Sequence, residues 1–409
     1  MTVQQISPEN NTVPVEALQL FSDAKFPLRP FDDLTIDFFN TLSKQILSDK
    51  EINRVPAIAA LGFWLRKANF RNIYKQNRHL FESADYRISP LGIVFHVCPS
   101  NVDTMFLYSL SISLAAGNKN IVRISERLNH PHISYIITLL NKTIAQKEYL
   151  LFQNYICILK YGHDDDINRY FSERADARIL WGGDATIHYF KNIPVQPRIK
   201  DIAFADRISI SLIKSDEFNR MAEAEKKELV RKFFNDSYTF DQKGCSSPQV
   251  IFIYGNSGDN AIFEKEFYSL LNAFSSLNYD NDISSLSSLK FNQMADDAID
   301  GTVSGFINQT NDTVFADSEN LKNLKHSCGG GYFYTKQITQ LNELIPFINK
   351  KTQTLSYFGL GKNEINEIIT SAAGIGIDRI VPIGKALEFN YIWDGFNLLD
   401  ELSGKIYFQ

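Results

Sequence analysis

Between residues 91 and 181 short apolar runs alternate with longer amphipathic stretches. Leu91–Val97, Asn120–Ile124, Tyr155–Leu159 and Ala177–Trp181 read as strands buried on both faces. Asp103–Ala116, Pro131–Lys147 and Asp164–Ala175 separate them as helices, and Gly117-Asn118 supplies a helix stop. This βαβαβαβ rhythm predicts a parallel, doubly wound sheet, whose ligands bind at the carboxyl ends of its strands. A second series follows, with a strand over Ile208–Ile213, an amphipathic helix over Phe218–Phe234, a strand over 249–254 and a helix over 258–277. Residues 1–85 read as helical and irregular, with helical spacing over Phe31–Leu47 and Ala57–Phe70. The Ser/Asn/Asp-rich stretch Asn278–Ser288 reads as a surface loop. The expected fold is α/β. It has a helical cover over 1–85, a doubly wound nucleotide-binding domain over 86–205 and a second α/β catalytic domain over 206–376. An apolar, aromatic segment over 377–409 is expected to pack back on the body or on a second subunit.

Composition narrows the function classes. The chain has 409 residues, enough for two domains, and 44% of them are hydrophobic. A net charge of −5 without a basic stripe argues against nucleic acid as partner. The apolar runs are too short and interrupted to span a bilayer, and the first residues lack a signal-peptide pattern. The four cysteines, Cys98, Cys157, Cys245 and Cys328, are far apart and show neither a disulfide framework nor metal spacing. A reducing cytoplasm is the expected setting.

The chemistry concentrates at Phe240-Asp241-Gln242-Lys243-Gly244-Cys245-Ser246-Ser247-Pro248-Gln249, just before an apolar strand. A cysteine in a small polar turn has backbone N–H groups nearby that favour thiolate. By local pattern alone it reads equally well as a partly buried turn cysteine. Cys328, ahead of three glycines, is the rival nucleophile. Cys157 lies mid-strand and reads as core, and Cys98 reads as lining a site without reacting. His96, His163, His188 and His326 have no recognisable partner spacing. Asp164-Asp165-Asp166 reads as a helix N-terminal cluster.

Several segments, taken in order, resemble the aldehyde dehydrogenase superfamily. These are Pro99-Ser100-Asn101, Ala116-Gly117-Asn118-Lys119-Asn120-Ile121-Val122-Arg123-Ile124-Ser125-Glu126, Gly182-Gly183-Asp184 and Cys245. Within it, Trp181-Gly182-Gly183-Asp184, Gly244-Cys245-Ser246-Ser247-Pro248-Gln249, Arg379-Ile380-Val381-Pro382-Ile383-Gly384 and Trp393-Asp394-Gly395 resemble the LuxC-type acyl-CoA reductases. The resemblance covers about residues 85–400. It implies an aldehyde-dehydrogenase-like fold and reduction of a fatty acyl thioester to the aldehyde with a nicotinamide cofactor. Cys245 matches the nucleophile, and Asn101 matches the side-chain amide that stabilises the oxyanion. Arg123, Ser125 and Glu126 fall at the adenosine ribose, and Gly182, Gly183 and Asp184 at the turn over the pyrophosphate. Arg123 favours a 2′-phosphate and Glu126 favours bare ribose hydroxyls; the branch favours NADPH, with NADH possible.

The oxidising members of the superfamily carry a water-activating glutamate, whereas the matching stretch here, Phe204-Ala205-Asp206-Arg207-Ile208-Ser209, has none. Asp206 is expected to pair with Arg207 or solvent. The resemblance implies acyl-CoA or an acylated protein as substrate, an acyl-protein synthetase as a plausible partner, and a homo-oligomer. An oxidising aldehyde dehydrogenase and a catalytically silent subunit of an acyl-transfer complex are the alternatives. The missing glutamate argues against the first, and the presence of Cys245 and Asn101 against the second.

Overall fold

The computed structural model describes residues 1–21, 25–99, 104–127, 131–279, 283–307, 311–318 and 327–409. Asn101 and His326 therefore lie outside the described residues. The chain divides into two compact units, one of residues 1–206 and 389–409 and the other of 207–388.

The first unit opens with strands β1 (Thr2–Ser7) and β2 (Asn11–Pro14) and helices α1 (Asp33–Ser48), α2 (Pro56–Trp64), α3 (Lys67–Gln76) and α4 (Arg78–Phe81). It continues through β3 (Tyr86–Pro90), β4 (Ile93–Val97), α5 (Met105–Ala115), β5 (Lys119–Ile124), α6 (Pro131–Ile144), β6 (Ile156–Lys160), α7 (Asp165–Arg174), β7 (Ala177–Trp181), α8 (Asp184–Lys191) and β8 (Lys200–Phe204). Seven strands form one sheet in the order β2-β1-β6-β5-β4-β7-β8, with β4 to β8 all parallel. The chain runs outward from β4 to β6, then returns to place β7 and β8 on the other side of β4. That reversal creates a crevice at the carboxyl ends of β4 and β7, the position where open α/β sheets hold ligands. Phe95, Val97, Ile121, Cys157, Leu159 and Leu180 line one face, covered by α7 and α8. Helix α5 is apolar all round because it is buried along its whole length.

The early residues depart from the expected helical cover. Strand β1 pairs antiparallel with β6 and extends the sheet. Its buried positions are Val3, Gln5 and Ser7, so two polar residues mask the alternation. Gln5 is satisfied internally, donating to Glu9 O at 3.3 Å and Asn11 Oδ1 at 3.4 Å. The expected helix over 57–70 is two helices, broken at Leu65-Arg66, where Asn69 donates to the free Trp64 carbonyl at 2.7 Å. Strand β8 opens on two charged residues, Lys200 and Asp201, and has no long apolar run.

The second unit contains β9 (Ile208–Lys214), α9 (Ser215–Asn219), α10 (Glu223–Tyr238), β10 (Pro248–Tyr254), α11 (Ser257–Asn278), α12 (Ile283–Ile299), β11 (Gly305–Ile307), β12 (Val314–Asp317), β13 (Tyr332–Ile338), β14 (Thr352–Phe358), α13 (Lys362–Ala372) and β15 (Arg379–Pro382). Its sheet runs β11-β12-β13-β10-β9-β14-β15 and is parallel apart from β11. Phe233, Phe263, Phe267 and Leu271 of α10 and α11 cover one face, and Ile368 and Ala372 of α13 help cover the other. The expected loop over 278–288 gives way to α12 from Ile283. Packing overrides its polar composition, since Leu286 and Lys290 are both buried.

The C-terminal residues return to the first unit through β16 (Ile392–Trp393), β17 (Phe396–Asn397), α14 (Leu398–Glu401) and β18 (Ser403–Tyr407). Asp394 and Gly395 both have positive φ, 49° and 77°, and turn a tight hairpin that places Trp393 opposite Phe396. Trp393 packs on Tyr108 and Trp181, and Trp181 stacks on Phe204 at 3.8 Å. The two motif tryptophans thus meet in one aromatic cluster that backs the Gly182-Gly183 turn. Among the described residues no helix is long and apolar enough to cross a membrane.

Candidate active site

Cys245 is half-buried in the loop that enters β10. Two neighbours of β9 slip register beside it. Across β14, Thr352 pairs with Ile208 but Leu355 with Ile210, so Gln353 and Thr354 together face Ser209. Across β10, Pro248 pairs with Ser209 but Val250 with Ile210, which leaves Gln249 extra. Such bulges re-aim side chains at strand ends. Ser209 fills the gap, donating to the Cys245 carbonyl at 2.6 Å and accepting the Thr354 N–H at 3.1 Å. Gln353 is re-aimed toward the sulfur, with Nε2 at 3.3 Å from Cys245 Sγ. Sequence reasoning passed over Gln353; its signal is an amide embedded in a buried run of hydroxyl residues, Thr352-Gln353-Thr354-Leu355-Ser356.

The loop itself is held by Gln242, at a positive φ of 62°. Its side chain donates to Pro248 O at 2.9 Å and Tyr332 O at 3.0 Å, and accepts from Gly331 N at 3.0 Å and Tyr332 N at 3.1 Å. The run Gly329-Gly330-Gly331, all at positive φ, lies against this loop. A side chain at Gly329 would collide with the Asp241 carbonyl, and one at Gly331 with the Asp312 carbonyl and the Tyr238 hydroxyl. The glycines serve close backbone packing. Cys328 beside them is half-buried, as Cys245 is, and desolvation pushes its thiol up to about 11. Cys98 and Cys157 are buried, and burial raises both thiols far above the ordinary range.

In the first unit Arg123 ends β5. Its guanidinium lies over the Tyr161 ring at 5.0 Å and donates to Gly162 O at 2.9 Å. Its Nε is buried without a hydrogen-bond partner among the described residues. Glu126 lies against Gly162, 2.9 Å from where a side chain there would begin. Ser125 Oγ accepts the Arg127 N–H at 3.3 Å. Gly182 and Gly183 connect β7 to α8, which begins at Asp184. A side chain at Gly182 would press on Thr186, and one at Gly183 on the Asp206 carboxylate. Asp206 is exposed to solvent and accepts the Asp184 N–H at 3.2 Å, and Arg207 pairs with Asp378. The crevice, the glycine turn and the orphaned Arg123 donor fit a nicotinamide dinucleotide.

His96 is fully buried between Ser109 Oγ at 2.8 Å and Asn120 Oδ1 at 3.0 Å, and burial lowers its imidazole to about 4. It is a satisfied core histidine. His163 lies exposed beside Asp165, and Asp164 caps α7 by accepting the Ile167 N–H at 2.9 Å.

The model of one protein family, acyl-CoA reductase (LuxC), matches residues 66–405. The chain belongs to the acyl-CoA reductase (LuxC) family. It is an NAD(P)-dependent oxidoreductase that reduces a fatty acyl thioester to the aldehyde. No curated protein matches it in sequence. Its solved structural neighbours are aldehyde dehydrogenases. Aldehyde dehydrogenase 21 from Physcomitrella patens, in complex with the product succinate, superposes with a TM-score of 0.67 at 10% identity, covering 99% of this chain and 93% of that one. Glyceraldehyde-3-phosphate dehydrogenase GapN from Methanocaldococcus jannaschii, complexed with NADP, gives 0.64 at 12% identity over 91% and 88%. Indole-3-acetaldehyde dehydrogenase AldA from P. syringae, a point mutant in complex with NAD+ and IAA, gives 0.65 at 12% identity over 96% and 87%. The acyl-CoA reductase therefore has the aldehyde dehydrogenase fold.

Proposed function

We propose that Cys245 is the nucleophile of a two-stage reduction of an acyl thioester, from coenzyme A or an acylated protein partner. The Cys245 thiolate attacks the carbonyl carbon, the bond to the departing sulfur breaks, and that sulfur leaves as a thiolate that takes up a proton. An acyl-Cys245 thioester remains. A reduced nicotinamide, when bound, would supply the hydride that the acyl carbon takes up, with two electrons passing to the acyl group as the cofactor is oxidised. Cys245 then departs from the tetrahedral carbon as thiolate, and the aldehyde is released. Asn101, with the Cys245 backbone N–H, stabilises the oxyanion in both stages. Arg123 and Glu126 hold the adenosine ribose, with Ser125 beside them, and Gly182, Gly183 and Asp184 lie at the pyrophosphate. Arg123 carries the preference for NADPH, and the Glu126 carboxylate lies against Gly162. A cytoplasmic homo-oligomer that receives acyl groups from an acyl-protein synthetase fits this chemistry.

One observation carries this reading. Among the described residues, Cys245 alone of the four cysteines combines partial exposure with an amide N–H directed at its sulfur, while burial pushes the thiols of the other three up. Incubation with a labelled long-chain acyl-CoA tests it. Cys245→Ala is expected to abolish the stable acyl adduct, and Cys328→Ala to retain it. Loss of the adduct in the Cys328 variant instead would move the nucleophile there.

A further inference from the structure

We infer that Gln353 is the residue that keeps Cys245 ionised, its side-chain N–H holding the sulfur as thiolate both when it attacks and when it departs. The inference rests on Cys245 being the nucleophile and assigns a role to a residue on another strand. Gln353 is 2% exposed, so its amide has almost no water to turn toward. Its oxygen is supplied from two sides, by the Ser246 hydroxyl at 3.1 Å and the Thr354 hydroxyl at 3.4 Å. Ser209 Oγ lies 3.5 Å from the same oxygen, but its hydrogen has the shorter contact with the Cys245 carbonyl at 2.6 Å and its oxygen accepts the Thr354 N–H at 3.1 Å. With the amide oxygen occupied, the amide nitrogen faces the sulfur at 3.3 Å. The reverse amide orientation would turn a carbonyl oxygen to the sulfur and favour the neutral thiol. The two orientations predict opposite effects.

The chemistry uses this donor twice. A hydrogen bond to a charged acceptor is worth more than one to a neutral acceptor. The N–H therefore stabilises the attacking thiolate, loosens when the sulfur becomes an uncharged thioester, and strengthens again as charge returns to the sulfur on departure. The bulge that places Gln353 opposite Ser209 ties this donor to the same serine that fixes the Cys245 backbone. Sulfur and donor are thereby held by one element.

The test is the pH dependence of Cys245 alkylation by iodoacetamide in the full-length protein, followed by mass spectrometry of the Cys245 peptide. In the wild type the inflection is expected below the ordinary thiol value of about 8.5. Gln353→Met, of similar length but without a donor, is expected to move it up by about one to two pH units. Gln353→Asn keeps the amide but falls one methylene short, and is expected to move it in the same direction. A merely structural role would leave the inflection in place in whichever variant folds. A wild-type inflection at or above the ordinary value, or an inflection unmoved or lowered in a folded variant, overturns the inference. Acyl-CoA labelling of the wild type separates the two ideas. A low inflection without an acyl adduct would sink the reaction assigned to Cys245 and leave Gln353 as its thiolate donor.

Discussion

Gln242 carries two opposing terms in one residue. An L-residue at a φ of 62° is held against a cost of about 1–2 kcal/mol, and four hydrogen bonds to buried backbone groups offset it. The terms separate by substitution. Gln242→Ala keeps the strain and strands the N–H groups of Gly331 and Tyr332, for a loss of at least about 3 kcal/mol. Gln242→Gly strands the same groups but relieves the strain, so it should be less destabilised than the alanine variant by about 1 kcal/mol. Denaturant unfolding of the two variants checks this. Equal midpoints would mean that the strain relieved at the positive φ does no more than offset glycine's larger unfolded-state entropy. The close-packed turn around Cys245 was legible from its glycine and serines, while the local pattern alone left the role of the cysteine open. Gln242 and Gln353 were not legible, because a glutamine's value lies in partners from distant strands: Tyr332 for the one and Ser246 for the other.

At the scale of elements, the loop after β15 shows how a motif can be structural. Arg379 donates to the carbonyls of Lys385, Ala386 and Glu388, and Asp236 of α10 accepts the N–H groups of Gly384 at 2.6 Å and Ala386 at 3.1 Å. Burial pushes the Asp236 carboxyl up to about 7 from 3.8, outweighing the two N–H donors that favour its ionised form. The folded state then binds the proton more tightly than the unfolded state. The contribution to stability is full below pH 3.8 and is lost as pH rises toward 7. Asn at this position does not titrate. Asp236→Asn should gain on the wild type by up to about 4 kcal/mol between pH 4 and pH 8. Parallel pH profiles of the two proteins would show an ordinary carboxylate instead. The central strands β4 to β7 were legible because buried parallel strands are near-continuous apolar runs. Strand β1 hides Gln5 and Ser7 on its inner face, and α12 hides in a serine-rich stretch whose helix depends on burying Leu286 and Lys290. Those signals exist only once the partners are folded.

At the scale of the whole molecule, the direction of the reaction depends on what happens to the acyl-enzyme before hydride reaches it. On the sequence resemblance, Phe204–Ser209 matches the segment that holds the water-activating glutamate of oxidising members, and the chain passes from one compact unit to the other between Asp206 and Arg207. Both charged residues of the junction are engaged: Asp206 with the Asp184 N–H that starts α8, and Arg207 with Asp378 and the Thr352 carbonyl. A carboxylate held on a helix N-terminal N–H is less free to draw a proton from water elsewhere. On the proposed reductive mechanism, acyl-Cys245 formed from a long-chain acyl-CoA should survive in the absence of reduced cofactor. Added NADPH should discharge it within a few turnovers, with aldehyde as the product and free carboxylic acid a minor fraction. Asp206→Asn should leave the slow hydrolysis slow, because Asp206 is not its base. Single-turnover measurement of acid and aldehyde, with and without NADPH, reads both steps on the same sample. Rapid acid release without cofactor would point to an oxidising dehydrogenase chemistry at Cys245, and loss of that acid in the Asp206 variant would name Asp206 as the base that supports it.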